Sequence, residues 1–100
     1  MKLRVVYRPL AEDDLVAIYS FFADKSPLSA IALIRRIRAQ CATLETMAER
    51  GPLRESLGLG VRIFVIDRMV TVAYRIEAGR VQIMRVFYAG QNIPENVVDD

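Results

Sequence analysis

Arginine is the side chain with the most chemistry to offer in this sequence. Of the 14 cationic residues only Lys2 and Lys25 are lysines, and arginine is favoured where a planar fork must grip a carboxylate or a phosphate. Arg62, Arg75 and Arg85 each lie inside an apolar, β-rich run. Brought together they would make a cationic floor suited to phosphate; apart, they would pair with Glu12, Asp67 or Glu77 or face water. The 12 acids leave a net charge of only +2, modest for a nucleic-acid binder. Other chemistry is closed off by composition. With no His and one Cys, the chain holds no Cys/His zinc site, Ser-His-Asp triad, Cys-His dyad or internal disulfide. Cys41 falls on an apolar helical seam and reads as a small core residue. Glu12-Asp13-Asp14 offers the acids of a metal cluster, but consecutive helical residues diverge, and acids suit the positive start of a helix. No metal and no cofactor are expected.

These side chains must be positioned by elements that the periodicity reveals. With 100 residues, 53% of them apolar and 26% charged, the chain is expected to form one domain over 1–100 with a packed core. No apolar run is long enough to cross a bilayer, and Met1–Arg8 is too charged for a secretory signal, so a cytoplasmic protein is expected. Residues 2–8 alternate, which predicts a strand. Pro9 stops it, and the spacing of Ala11, Leu15, Ile18 and Phe22, with Tyr19 on the flank, predicts a helix from Leu10 to about Ala23. Ser26 and Pro27 mark the N-cap and first position of a second helix. This one is expected to reach about Ala48, with its seam through Pro27, Ile31, Ile34, Ile37, Cys41, Leu44 and Ala48. Arg35, Arg36 and Arg38 fall on its outer faces. After a turn-rich stretch over 49–60, three β-rich runs at 61–66, 69–76 and 81–88 are joined by short loops that suit antiparallel neighbours. The expected fold is therefore α+β, in the order β-α-α-β-β-β, an antiparallel sheet with a two-helix hairpin on one face.

The same residues carry a resemblance. Arg8-Pro9-Leu10-Ala11-Glu12-Asp13-Asp14-Leu15 followed by Ile18-Tyr19 resembles the opening of ParE-type toxins in the RelE/ParE superfamily. Glu49-Arg50-Gly51 and Leu57-Gly58-Leu59-Gly60-Val61-Arg62 resemble their loop into the second strand. Val72-Ala73-Tyr74-Arg75-Ile76 and Val81-Gln82-Ile83-Met84-Arg85-Val86 resemble their last two strands. The likeness runs in order over nearly the whole chain. It implies the toxin of a type II toxin–antitoxin (plasmid stabilisation) module, bound by a ParD-like antitoxin in a hetero-oligomer that meets DNA only through the antitoxin. ParE-type members inhibit DNA gyrase; RelE-type members are ribosome-dependent mRNA endonucleases.

Chemistry separates these two branches. Cutting RNA through its 2′-OH needs a base, an acid and cations for the developing charge. Arg62, Arg85 and Tyr88 are the residues available for it. However, the next same-face position after Arg62 is Phe64, the third strand offers only Thr71 and Ala73, and arginine is a poor base. A gyrase inhibitor without a catalytic site is the expected reading; an RNA endonuclease, or an inactive toxin that retains antitoxin binding, is the alternative. The corner after the last strand, commonly His-x-x-Arg-Asp in ParE-like relatives, here reads Tyr88-Ala89-Gly90-Gln91-Asn92. The residues expected to contact the target are Arg62, Arg75, Arg85, Tyr88, Gln91 and Asn92. Those expected beneath an antitoxin are Leu15, Ile18, Tyr19, Phe22, Ile34, Ile37 and Phe64, with some of them filling the chain's own core instead.

Overall fold

Proline, serine and short alternating runs set the elements of the computed structural model, which describes residues 2–89 and Ile93. Strand β1 covers Arg4–Tyr7. Pro9 then occupies the first position of helix α1, Pro9–Ala23, which buries Ala11, Leu15 and Ile18 at the predicted spacing. Ser26 caps helix α2, Pro27–Ala42, its hydroxyl accepting the Ser29 N–H at 3.2 Å.

Helix α2 ends earlier than the periodicity suggests. The Thr43 hydroxyl donates to the Gln40 carbonyl at 2.6 Å, a local bond that competes with helix continuation. The chain then tightens into a 3-10 turn over Thr43–Glu45. There the Glu45 carbonyl accepts the Leu3 N–H at 2.8 Å, tying the turn to the strand end. The seam also rotates. Ile37, Cys41 and Leu44 are fully buried as expected, but Ala30 joins them while Pro27 and Ile31 face out and Ile34 is half-buried. Ala11 and Ala30 are both completely buried, small side chains at which the two helices can approach closely.

Strands β2 (Val61–Ile66), β3 (Val70–Glu77) and β4 (Arg80–Tyr88) form the expected antiparallel meander. Its two turns place Asp67-Arg68 and Ala78-Gly79 at positive φ, the geometry of tight hairpins. The sheet order is β1-β4-β3-β2, and β1 pairs parallel to β4. An all-antiparallel sheet is thus corrected to a mixed one. β3 occupies one edge of β4 and β1 takes the other, running in the same direction as β4.

Two apolar layers follow from the sheet. Leu15, Ile18, Ile37, Cys41 and Leu44 pack onto the helix-side face, against side chains that include Phe64, Tyr74 and Ile83. On the opposite face a smaller cluster of Val61, Ala73, Met84 and Phe87 lies under Leu57. A bulge at Ala73/Tyr74 interrupts the β3–β4 register. Beyond it the alternation of β4 reverses, so Val81, Ile83 and Val86 face the helices while Met84 and Phe87 face away. The loop before β2 is pinned by the Tyr74 hydroxyl, which donates to the Ala48 carbonyl at 2.8 Å and accepts the Gly51 N–H at 3.0 Å. A Cβ at Gly51 would lie 2.2 Å from the Ile63 carbonyl oxygen, so only glycine fits there.

Candidate functional site

The rotated seam of α2 leaves the outer junction of the two helices open. Val16 and Tyr19 of α1 and Ile31 and Ile34 of α2 wall a groove of about 590 Å³, with Leu15 at its base and Arg35 and Arg38 on its rim. Val16 remains 65% exposed and Ile31 and Tyr19 each 36%. Contiguous apolar surface of this kind on a small chain marks a binding site. One end of the groove is charged: Arg38 Nη2 donates to Glu12 Oε1 at 2.9 Å, and the same guanidinium lies 4.8 Å from the centre of the Tyr7 ring. A trough with apolar walls between two helices, closed by ionic groups at one end, suits the apolar face of a peptide helix.

The expected antitoxin-facing residues divide accordingly. Leu15, Ile18, Ile37 and Phe64 fill the core between helices and sheet and are almost completely buried. Tyr19 and Ile34 line the groove. Phe22 is half-buried and stands edge-on to Tyr88, centroids 6.1 Å apart. Sequence reasoning passed over Val16 as a groove residue and assigned Ile31 to the core. Paired apolar residues at Leu15-Val16 and Ile18-Tyr19 widen the stripe beyond what one packed face needs, and that width was the signal available.

Of the two arrangements open to Arg62, Arg75 and Arg85, the structure shows them apart and not as one cationic floor. Arg62 stands opposite Tyr74, on the helix-side face, and donates to the Gly51 carbonyl at 2.8 Å. Arg75 pairs with Val61 and Arg85 with Ala73, which places both on the opposite face. Counting by twos from Val81 and Ile83 would have put Arg85 on the helix side; the bulge moves it across. Asp14 then fixes it: Arg85 Nε and Nη2 donate to the two Asp14 carboxylate oxygens at 2.8 and 3.0 Å, and the Val86 N–H bonds the same carboxylate at 2.8 Å. Arg75 is held against the Glu77 carboxylate at 3.1 Å. Tyr88 turns to the helix side and stacks on Phe21, centroids 5.2 Å apart. Gln91 and Asn92 lie outside the described residues.

Titratable groups elsewhere are tied into structure. Burial pushes the Cys41 thiol up to about 11 and raises the neighbouring Tyr7 phenol well above its ordinary value, which makes both poor nucleophiles at neutral pH. Asp67 is held below the usual carboxylate range by its bond from Arg36. The acids of α1 diverge as expected, Glu12 to Arg38 and Asp14 to Arg85. Among the described residues no group of three or more His, Cys, Asp or Glu side chains could hold a metal ion. Among them, too, no helix is long and apolar enough to cross a membrane.

Residues 5–93 match the family model of the ParE toxin of the type II toxin–antitoxin system, parDE. A chain from the chromosomal ParDE toxin–antitoxin system of P. aeruginosa is similar in structure, with a TM-score of 0.76 and 26% identity, covering 87% of this chain and 96% of that one. A chain of the toxin–antitoxin complex RelBE2 from Mycobacterium tuberculosis shares the fold at a TM-score of 0.57 and 18% identity, covering 88% and 99%. No curated protein matches the sequence.

Proposed function

The chain belongs to the ParE toxin family of type II toxin–antitoxin systems, and from that membership we propose that it works by protein contact rather than by chemistry of its own. It inhibits DNA gyrase, and a ParD-like antitoxin silences it by laying an apolar helical segment into the groove between α1 and α2. The observation that carries the antitoxin reading is the open apolar wall of Val16, Tyr19, Ile31 and Ile34, a surface whose burial by a second polypeptide is favourable at ~25 cal/mol per Å². The non-catalytic reading draws support from the dispersal of Arg62, Arg85 and Tyr88. Arg62 is held by the Gly51 carbonyl in the loop before β2, Arg85 by the Asp14 carboxylate of α1, and Tyr88 stacks on Phe21, so the acid and the two cations are fixed to different elements. The end of β4, with Arg85 and Tyr88, is the proposed gyrase contact.

The direct test is a gyrase supercoiling assay with the purified chain, run beside ribosome toeprinting. Inhibited supercoiling without A-site cleavage of mRNA is the expected result. Unchanged supercoiling at large excess of the chain refutes the gyrase target, and A-site cleavage would establish the endonuclease instead.

A further inference from the structure

The sheet face away from the helices carries more arginine than the sequence suggested. In β1, Val5 and Tyr7 pack with the helix-side core, so alternation sends Arg4 and Val6 to the other face, and continuing it places Arg8 there too. The register sets Arg4 directly opposite Arg80 and Val6 opposite Gln82. Gln82 in turn stands opposite Arg75 on β3 and accepts a bond from Arg8 Nη1 at 3.4 Å. Arg4, Arg80, Arg75 and Arg8 therefore form one strip across β1, β4 and β3, about 13 Å long at ~3.3 Å per residue.

Like charges directly opposite across two strands destabilise a sheet. Arg4 and Arg80 are such a pair, both exposed, and neither makes an ion pair among the described residues. Glu77 stands opposite Arg80 on β3, and its carboxylate is engaged by Arg75. An anion laid beside Arg4 and Arg80 would relieve the repulsion and occupy their two forks. We infer that this arginine strip binds the phosphate backbone of a single nucleic-acid strand. A nucleic-acid strand matches it because one phosphate per nucleotide supplies dense, regular charge whatever the base sequence, and a patch about four residues long and two strand spacings wide, centred on Gln82, spans only a few phosphates of one strand. Nucleic acid would then be met directly, and not only through an antitoxin.

Fluorescence anisotropy with a labelled oligothymidylate of about 12 nucleotides tests this over a salt series beginning near ~50 mM. Wild-type chain is expected to bind with a log–log salt slope of about −2, the value for about three neutralised phosphates on a single strand. The Arg4→Ala/Arg80→Ala variant should flatten that slope by about 1.4 and weaken binding at least about tenfold. The Glu77→Gln variant should tighten binding, a gain that misfolding cannot produce. Absence of binding at low salt overturns the inference, as does binding that the double variant leaves unchanged while its circular dichroism stays native. A polyglutamate peptide competing as well as the oligonucleotide at equal charge would assign the strip to an acidic polypeptide instead. Tighter binding to a duplex of the same length would refute the single-strand assignment.

Discussion

Asp14 concentrates several constraints in one side chain. Its carboxylate joins α1 to β4 by accepting two bonds from Arg85 and one from the Val86 N–H. Both partners are largely shielded, with side-chain exposures of 24% and 13%, so removing the acid takes three hydrogen bonds out of a poorly hydrated site. Asp14→Ala should lower the unfolding free energy by about 2–4 kcal/mol, and Asp14→Asn, which keeps an acceptor oxygen, by about half as much; urea titrations would measure both. Cys41 makes a second residue-level case. Its folded pKa of about 11 lies above the ordinary thiol value near 8.5. Unfolding therefore releases a proton between these values, and stability is full below about pH 8.5 and declines as pH rises towards 11. A Cys41→Ala variant should lack the part of this decline that precedes Tyr7 ionisation, seen by comparing urea midpoints at about pH 8 and pH 9.5. In native wild type at neutral pH, a thiol reagent should label Cys41 only when denaturant is added. The burial of Cys41 was legible from helical spacing alone. The face of Arg85 was not, because a bulge changes parity and leaves no mark in a run of apolar residues.

At the scale of elements, α2 shows why periodicity places a helix but not always its buried side. Ala30 and Ile31 are adjacent apolar residues, and either could have begun the seam; the fold buries the small Ala30 completely and leaves Ile31 36% exposed. The consequence is measurable. Ile37→Ala, in a fully buried position, should cost about 2–4 kcal/mol, whereas Ile31→Ala on the groove wall should cost under about 1 kcal/mol. The meander was readable from its two short turns, and both helix starts from Pro9 and Ser26-Pro27. The parallel partner of β1 was not, since a four-residue strand carries no signal for which edge it joins. The loop before β2 depends on Gly51 and Tyr74. Tyr74→Phe leaves the Gly51 N–H and the Ala48 carbonyl without their partner and should lower stability by about 1–3 kcal/mol.

For the whole molecule, the two sides of the sheet carry different chemistry. The helix side ends in an open apolar groove, and the opposite side bears arginines that no pairing within one strand could have located. The groove proposed to seat the antitoxin and the end of β4 proposed to reach gyrase are lined by different residues, so losing one function need not remove the other. The central claim is that the α1–α2 groove seats the antitoxin. Size-exclusion chromatography after co-expression with the small protein encoded beside the toxin tests it most directly. Wild-type chain should co-elute with that protein. A Val16→Asp/Ile31→Asp variant, altered only at exposed positions, should elute alone with a melting temperature close to wild type and should arrest growth even when the partner is present. Undiminished co-elution of that variant would contradict the assignment.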